Sequence, residues 1–287
     1  MTGIEEPAVA TRGRAALAAD RARQARAALA ACRLCAHDCG VNRLAGQRGV
    51  CRATDETRVF SAQVEVADEL ELIPTFAIAL SGCDLRCAFC ITGLESWNPL
   101  AGQRLDPSGL AARAARALDR GARSVMILGG EPTIHLPAAL EIVAGLPDAA
   151  PLVWKTNAHS SAQARSLLDG VFDVWLADYK FGNDACASRL AQIENYTAVV
   201  RENLLWANAR RGLIVRHLLL PGHVMCCWEP MARWIATALP SARVSLRSGF
   251  WPAWKAGRHP ELRGTVGRTE ECRATAIARN YGLHLIE

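Results

Sequence analysis

The sequence predicts an α/β fold, an incomplete (β/α)6 barrel with a small N-terminal extension. Six apolar runs recur after residue 70, and each ends in polar or glycine-rich residues. Helix-like segments lie between these runs, so strands and helices alternate along the chain. Right-handed crossovers between parallel strands fit a partial barrel, and a doubly wound open sheet remains the alternative. In both arrangements, functional residues belong at the carboxyl ends of the strands.

Three regions are predicted along the chain. Residues 1–70 form the extension, residues 71–250 form the barrel, and residues 251–287 form a C-terminal tail and helix. The extension contains a helix over 11–31, where alanine and arginine alternate with apolar positions. The six apolar runs predicted as buried strands are 75–82, 124–130, 151–157, 171–180, 213–222 and 242–249.

A helix is predicted directly after Asp106. The Asp106 side chain can cap the first turn, and Pro107 suits the first helical position. Leu110, Ala114 and Leu118 share one face of this helix, and that face can pack on the sheet.

The composition is that of a globular chain with a full core. The 287 residues are 51% hydrophobic, which predicts one large domain with an appendage. The net charge of +5 comes from 33 basic and 28 acidic residues without a long basic block, which argues against a nucleic-acid partner. No stretch has the ~20 apolar residues of a membrane helix, and the first residues lack a secretory signal. We therefore expect a cytoplasmic protein with no membrane partner.

A loop of three cysteines follows the first predicted strand. Cys83, Cys87 and Cys90 have the spacing CxxxCxxC in SGCDLRCAFC. Three thiolates on one short loop can hold three corners of a cubane iron–sulfur cluster. The fourth iron then keeps an open position for an outside ligand, as catalytic metal sites do. A zinc-binding loop and three unrelated thiols are the alternatives.

This loop, with Phe89 directly before the last cysteine, resembles that of the radical SAM superfamily. The resemblance implies a [4Fe-4S] cluster whose open iron binds S-adenosyl-L-methionine (SAM). It also implies reductive cleavage of SAM to a 5′-deoxyadenosyl radical that abstracts hydrogen from a substrate, and a reductant such as flavodoxin or ferredoxin. In such an oxidoreductase the cofactor supplies the difficult chemistry, and the protein orients it and excludes water.

A second motif, Gly129, Gly130, Glu131 and Pro132, lies at the end of the second predicted strand. It resembles the GGEP element with which the same family binds the amino group of SAM. The glycines would let the backbone approach the ligand closely, and Glu131 would offer its carboxylate to an ammonium group. An ordinary turn is the alternative for this motif.

Two further strand ends, VWKTNAHS and VWLADYK, are similar to relatives of pyruvate formate-lyase activating enzyme, especially the branch with an N-terminal cysteine cluster. In that family, equivalents of Thr156, Asp178 and a preceding aspartate hold a monovalent cation against the SAM carboxylate. Lys155 replaces that aspartate here, and we hypothesise that its ammonium replaces the cation. The resemblance extends from about residue 30 to about residue 250. The candidate SAM contacts on the strand ends are Lys155, Thr156, Asn157, Asp178, Lys180 and Arg216.

The fifth predicted strand, VRHLLLPGH, also matches this branch. Arg216, His217 and His223 are therefore expected to border the pocket. His217 alternates with Arg216, so it is expected to face the outside of the barrel as a hydrogen-bonded structural residue.

Four more cysteines lie in the N-terminal extension, at Cys32, Cys35, Cys39 and Cys51. Four thiolates make a closed metal-binding site. Tetrahedral zinc and an auxiliary iron–sulfur cluster both satisfy this number of ligands, and the spacing does not choose between them. His37, inside the same loop, is expected not to be a ligand.

Cys226 and Cys227 follow the fifth strand, where substrate could reach them. Either thiol could donate hydrogen to a product radical or bind an additional cluster, and inert buried cysteines are the alternative. Cys186 and Cys272 are expected to have no role. The aromatic side chains near this end are interpreted as core or pocket wall, with a possible aromatic lid from the SGFWPAW segment; they are Trp228, Phe250, Trp251 and Trp254.

Three functions remain open from the sequence. The enzyme could modify a peptide or small molecule directly, or it could install a glycyl radical in a partner protein. The spacing of the motifs does not separate these two, because substrate is recognised by variable loops. A non-catalytic binding scaffold stapled by metal is the third possibility.

Overall fold

The computed structural model describes residues 13–67, 69–210 and 212–286. Its strands are β1 (Arg58–Glu65), β2 (Thr75–Leu80), β3 (Gln103–Arg104), β4 (Ser124–Gly129), β5 (Leu152–Thr156), β6 (Val174–Asp178), β7 (Leu213–Leu218), β8 (Arg243–Arg247) and β9 (His284–Ile286). Its α-helices are α1 (Arg14–Ala28), α2 (Leu94–Trp97), α3 (Pro107–Asp119), α4 (Leu136–Ala144), α5 (Ala162–Leu168), α6 (Asp184–Ala191), α7 (Tyr196–Asn208), α8 (Glu229–Ala238) and α9 (Arg268–Asn280). Residues 11 and 12 of the predicted first helix lie outside the described residues.

The sheet has the order β3-β1-β2-β4-β5-β6-β7-β8-β9. From β2 to β9 all neighbours are parallel, whereas β1 is antiparallel to both β2 and β3. Each new parallel strand is added on the same side of the previous one, so the order never reverses as it does in a doubly wound sheet. The predicted incomplete barrel is therefore confirmed, and its six predicted strands are β2 and β4 to β8.

Three strands that the sequence did not predict extend the sheet. β1 and β3 continue it beyond β2, and β9 continues it beyond β8. β1 belongs to the predicted extension and β9 to the predicted C-terminal tail, so both flanking regions share the barrel's sheet. The domain limits at residues 70 and 250 stay predictions.

The helix predicted after Asp106 is α3. The Asp106 carboxylate accepts a hydrogen bond from the Gly109 amide at 3.1 Å, and Pro107 is the first helical residue. Leu110 and Ala114 are buried, and Leu118 packs against the core at the edge of the same face. None of the described helices is long and apolar enough to cross a bilayer.

Side chains inside the barrel form an apolar floor below a charged layer. The floor is a cluster of Leu72, Met126, Val153, Leu176 and Ile214. Because side chains alternate across a strand, the residues two positions further along β5, β6 and β7 face the same interior. Those residues are Lys155, Asp178 and Arg216. The outward side of the sheet packs under the helices in the larger core.

Candidate active site

The cysteine loop begins three residues after β2 ends. Cys83 and Cys87 are buried and Cys90 is half-buried. The Cys83 sulfur lies 3.4 Å from the Leu85 amide and 3.8 Å from Asn157 Nδ2, so two N–H groups face it. Hydrogen bonds of this kind stabilise anionic sulfur and orient a metal ligand.

Burial sets the chemistry of these thiols. It raises the pKa of Cys83 well above its usual range, and it raises the pKa of Cys87 to about 12 although the charge of Lys180 acts in the opposite direction. Such thiols do not ionise alone at neutral pH, and bound metal would replace their protons. Two buried thiols and one half-buried thiol on one loop, with N–H donors at Cys83, therefore fit the ligand set of an iron–sulfur cluster.

The two glycines at the end of β4, Gly129 and Gly130, are required by a close approach of main chains. A Cβ on Gly129 would lie 2.1 Å from the Leu80 carbonyl oxygen, and one on Gly130 would lie 2.0 Å from that of Gly82. The Gly130 and Glu131 amides donate to these same two oxygens, each at 2.9 Å. The sequence motif was interpreted as a way to approach a ligand, whereas the contacts found here are with the protein's own cysteine loop.

Glu131 links the ends of β4 and β5 from a fully buried position. Its Oε1 accepts hydrogen bonds from the hydroxyls of Thr133 and Thr156 at 2.6 and 2.8 Å, and its Oε2 accepts one from the Asn157 amide at 2.7 Å. Burial and the nearby charge of Asp84 raise the pKa of Glu131 to about 7. The Glu131 carboxylate therefore lies at the junction of the cysteine loop with both strand ends.

Asp84, which lies within the cysteine loop, was not identified from the sequence. Its Oδ2 lies 2.7 Å from His159 Nδ1, and its Oδ1 accepts a 2.7 Å hydrogen bond from Asn157 Nδ2. His37 Nε2 contacts the Asp84 carbonyl oxygen at 3.0 Å. These residues are far apart in the chain, and no spacing rule connects them. The only feature of the sequence that could have pointed to Asp84 is the presence of an acidic residue between two cysteines of the motif.

The charged layer lies directly beside the cysteine loop. Lys180 Nζ donates to Asp178 Oδ2 at 2.6 Å, and Arg216 Nε lies 4.0 Å from Asp178 Oδ1. Burial raises the pKa of Asp178, but the charges of Lys180, Arg216 and Lys155 hold it below its usual value. Burial lowers the pKa of Lys180, but Asp178 and then Cys87 raise it above its ordinary range. Asp178 and the cationic side chains around it therefore stabilise one another in their charged forms.

Glu69 completes this layer from the segment before β2, and it was not identified from the sequence. It is fully buried, and its Oε1 accepts a 2.8 Å hydrogen bond from Ser245 Oγ. The guanidinium groups of Arg247 and Arg216 lie 3.2 and 3.6 Å from the same oxygen.

The N-terminal cysteines lie against the same end of the barrel. Cys32, Cys35 and Cys51 are buried and Cys39 is exposed. The main chain of Cys35 forms an isolated antiparallel β-bridge with that of Ser160, just beyond β5. The Arg86 guanidinium joins the two cysteine regions, because it donates to the carbonyl oxygens of Val50 and Cys83, both at 2.7 Å. The identity of a metal in this region stays a prediction.

Phe89 packs at the centre of an aromatic group. Its ring centroid lies 6.0 Å from that of Phe181 and 6.3 Å from that of Phe250. Of the aromatic residues proposed for a lid, Trp251 and Trp254 are 58% and 44% exposed, whereas Phe250 is buried. The Lys255 amide donates to the Ala88 carbonyl at 2.8 Å, so this segment rests on the cysteine loop.

The histidines in and after β7, His217 and His223, have structural contacts. His217 is buried and stacks on the buried Trp228 with ring centroids 5.3 Å apart, on the outer side of the sheet. Its Nδ1 contacts the Tyr179 carbonyl at 2.8 Å, and burial lowers its pKa to about 4. His223 is also buried, with Nδ1 2.7 Å from the Pro221 carbonyl.

Cys227 is buried and Cys226 is exposed at the start of the segment before α8. Cys186 was expected to have no role, but its sulfur lies within 4.8 Å of both. Hydrogen-atom donation by Cys226 or Cys227 stays a prediction. Cys272 is exposed on α9.

The fold and this site define a class of proteins, partial parallel barrels with a three-cysteine loop at the carboxyl end of the first barrel strand. The sequence profile of the Radical SAM superfamily matches residues 78–235, more than half of the chain. An uncharacterized protein from Methanocaldococcus jannaschii is 31% identical over 265 residues, which cover 89% of this chain and 76% of that protein. The chain therefore belongs to the radical SAM superfamily, and it is an enzyme whose cofactors are a [4Fe-4S] cluster and SAM.

Solved structures share the fold at low sequence identity. Streptococcus suis SuiB bound to S-adenosylmethionine has a TM-score of 0.54 and 15% identity, over 71% of this chain and 47% of SuiB. SuiB bound to the precursor peptide SuiA has a TM-score of 0.52 and 15% identity, over 71% of this chain and 46% of SuiB. A radical SAM methyltransferase from Sphaerobacter thermophilus has a TM-score of 0.50 and 18% identity, over 72% of this chain and 65% of that protein. The chain spans about half the length of SuiB, and the similarity concerns the fold. Membership of the activating-enzyme branch stays a prediction.

Proposed function

We propose that this enzyme cleaves SAM reductively and that the resulting 5′-deoxyadenosyl radical takes a hydrogen atom from a peptide or small-molecule substrate. The observation that carries this proposal is the meeting of four sequence motifs at one end of the barrel. The Asn157 side chain donates a hydrogen bond to Asp84 in the cysteine loop, and the Asn157 backbone N–H donates one to Glu131 after β4. The charge of Lys180 acts on the Cys87 thiol in the same loop.

Cys83, Cys87 and Cys90 would hold the cluster. When bound, the cluster supplies the electron that breaks the sulfonium carbon–sulfur bond of SAM. The chain's own contribution is to bury Cys83 and Cys87, and to place N–H donors beside Cys83 and the Lys180 ammonium beside Cys87. These groups stabilise negative charge on sulfur and exclude water from the reaction.

Two sets of residues would hold the amino-acid end of SAM, one at its ammonium group and one at its carboxylate. Glu131 Oε2 accepts one hydrogen bond, from Asn157, and its remaining lone-pair capacity suits the SAM ammonium. The positive groups of the charged layer, on Lys155, Lys180 and Arg216, suit the SAM carboxylate. Asp178 keeps these cations in place through its own contacts.

The surface around the cysteine loop favours a peptide or protein segment as substrate. Ile91 and Leu94 directly follow the loop and are exposed, and the exposed Trp251 and Trp254 belong to the segment that rests on it. Exposed apolar groups of this size commonly mark interaction sites. SuiB, which shares the fold, binds a precursor peptide. We also propose a cytoplasmic location and a reductant such as flavodoxin or ferredoxin.

The test is SAM cleavage by anaerobically reconstituted protein. With SAM and dithionite, the wild-type protein should release 5′-deoxyadenosine, quantified by liquid chromatography. Cys87→Ala should reduce the release to background, and Cys272→Ala, which changes an exposed cysteine on α9, should leave it unchanged. Wild-type protein that binds iron but releases no 5′-deoxyadenosine would support the non-catalytic scaffold and refute the proposal.

A further inference from the structure

Three cysteines outside the proposed SAM site converge at the carboxyl-end face of the barrel. Cys186 lies in the first turn of α6, after β6, and Cys226 and Cys227 lie in the π-helical turn Val224–Trp228, after β7. Their three sulfur atoms all lie within 4.8 Å of one another. Two loops that are distant in sequence thus place three thiols at one point.

The two loops are fixed in this arrangement by close main-chain packing. A Cβ on Gly182 would lie 2.1 Å from the Cys227 carbonyl oxygen, so only glycine allows the β6–α6 loop to approach the π-helical turn this closely. Asn183 Nδ2 donates to the Cys226 carbonyl oxygen at 2.7 Å and joins the same two loops.

Hydrogen-bond donors and a guanidinium group lie around the sulfurs. Asn183 Nδ2 lies 3.4 Å from Cys186 Sγ and 3.8 Å from Cys227 Sγ. The side-chain amide of Asn183 is held in place, because its Oδ1 accepts a 2.8 Å hydrogen bond from the backbone N–H of Cys186. The Arg189 guanidinium pairs with Glu261 and also interacts with Cys186, so it lies next to the thiols. A positive charge and N–H donors around sulfur are typical of the second shell of a thiolate metal site.

The spacing of the sulfurs selects the kind of metal. With zinc–sulfur bonds of about 2.3 Å, the ligand sulfurs of a tetrahedral zinc site lie roughly 3.8 Å apart. A cubane cluster holds its cysteine sulfurs further apart, because four irons lie between them. Cys186 and Cys227 are buried while Cys226 is exposed, so a fourth ligand position would face solvent.

We propose that Cys186, Cys226 and Cys227 bind one zinc ion through three thiolates, with water in the fourth position. The ion clamps the β6–α6 loop to the turn before α8. The β6–α6 loop begins next to Lys180, whose ammonium pairs with Asp178, so the clamp also fixes the edge of the charged layer. Zinc-bound thiolates are not hydrogen-atom donors, and this assignment therefore replaces the catalytic role predicted for Cys226 and Cys227.

The test measures zinc in protein whose iron–sulfur clusters have been reconstituted, after dialysis against a weak chelator. Cys186→Ser, Cys226→Ser and Cys227→Ser should each lose one zinc equivalent relative to the wild type, and the matched control Cys272→Ser should lose none. All other cysteines are unchanged in these variants, so the difference counts this site alone. Because Cys226 is exposed, Cys226→Ser is expected to fold, and a circular-dichroism melt verifies this.

Cobalt provides a second readout. Cobalt-loaded wild-type protein should show thiolate-to-cobalt charge-transfer absorption that is absent from Cys226→Ser, because that variant no longer holds the metal, and unchanged in Cys272→Ser. Equal zinc content in the wild type and folded Cys226→Ser would overturn the proposal. Mass spectrometry that finds two of the three cysteines joined in a disulfide in anaerobically purified protein would also overturn it.

Discussion

The Asp84 carboxylate and the His159 ring form a buried contact of 2.7 Å that joins the cysteine loop to the chain after β5. Both side chains are almost fully inaccessible to solvent. Burial raises the pKa of Asp84, but its contacts with His159 and Asn157 bring it below the ordinary value of 3.8. Asp84 is therefore ionised at neutral pH, and the position of the cysteine loop depends on that charge.

Asp84→Asn should destabilise the apo-protein at neutral pH by about 1–3 kcal/mol, because the amide cannot accept from both donors and leaves one buried and unsatisfied. The pKa of Asp84 is lower in the folded than in the unfolded state. Its contribution to the free energy of unfolding is therefore fully present above pH 3.8 and is lost as the pH falls through the lower folded-state pKa. The difference between wild type and variant should therefore shrink in acid. Urea denaturation at several pH values measures this, with the exposed Asp119→Asn as control. A difference that does not change with pH contradicts the prediction.

Glu131 should have the opposite pH dependence. Its pKa is raised from 4.5 to about 7, so between these values the folded state holds a proton that the unfolded state has released. Stability contributed by this group therefore falls as the pH rises through that window. Glu131→Gln cannot titrate, and its stability should decline less steeply from pH 4.5 to 7 than that of the wild type. Chemical denaturation of the apo-proteins compares the two slopes, and parallel curves would count against the assigned shift.

Gly130 should be essential for cluster assembly. In Gly130→Ala the new Cβ would lie 2.0 Å from the Gly82 carbonyl oxygen, which is rigid main chain, so the cysteine loop must shift. We expect iron incorporation on anaerobic reconstitution to fall several-fold. Gly264→Ala is the matched control, since a Cβ there meets no atom within 4 Å. Iron content per chain is the measurement, and normal iron content in folded Gly130→Ala would refute this role for the glycine.

The barrel was predictable because its strands are continuous apolar runs such as 75–82, which parallel sheets buried on both faces require. β1 was missed because its side chains are only partly buried, and β9 because three residues carry too little pattern. Within the site, the cysteines and GGEP motif are contiguous in sequence and were visible. The contact of Asp84 with His159 depends on how distant segments pack, and no local pattern encodes it.

The same limit applies to Cys186. Its position in α6 has no spacing relation to the Cys226–Cys227 pair, and only the folded chain brings the three sulfurs together. Conversely, the alternation of Arg216 and His217 along β7 was enough to place them on opposite sides of the strand, because this periodicity is local. Arg216 contacts Asp178 inside the barrel, and His217 stacks on Trp228 outside it.

Lys155 should make SAM binding independent of potassium. It follows Val153 on the interior side of β5, and its charge contributes to the lowered pKa of Asp178. If its ammonium replaces a monovalent cation, the wild-type protein should bind SAM equally in potassium and in tetramethylammonium salts at constant ionic strength. Lys155→Ala should bind SAM about tenfold more weakly, a loss of ~1.4 kcal/mol, and potassium should partly restore its affinity. Lys155→Arg, which keeps the charge, serves as the control. Potassium-dependent binding by the wild type would refute the hypothesis.

The N-terminal cysteines should hold a second iron–sulfur cluster instead of zinc. In the part of the chain that the structure describes, no three of the sulfurs of Cys32, Cys35, Cys39 and Cys51 lie within 4.8 Å of one another. The three sulfurs of the cysteine loop, on Cys83, Cys87 and Cys90, also do not all lie within 4.8 Å of one another. Tetrahedral zinc requires a sulfur–sulfur spacing of roughly 3.8 Å. We therefore expect about eight irons per chain after reconstitution, as two [4Fe-4S] clusters require.

Cys39→Ser tests this second cluster with little disturbance, because Cys39 is exposed. It should lower the iron content towards about four per chain, since the four irons bound by the cysteine loop remain. The zinc content should stay at the wild-type level. Iron and zinc are measured on the same samples by elemental analysis. Unchanged iron with a loss of zinc would assign zinc to this site. Because Arg86 donates to carbonyl oxygens on both Val50 and Cys83, loss of the N-terminal metal should also loosen the core loop, seen as faster amide hydrogen exchange at residues 83–90.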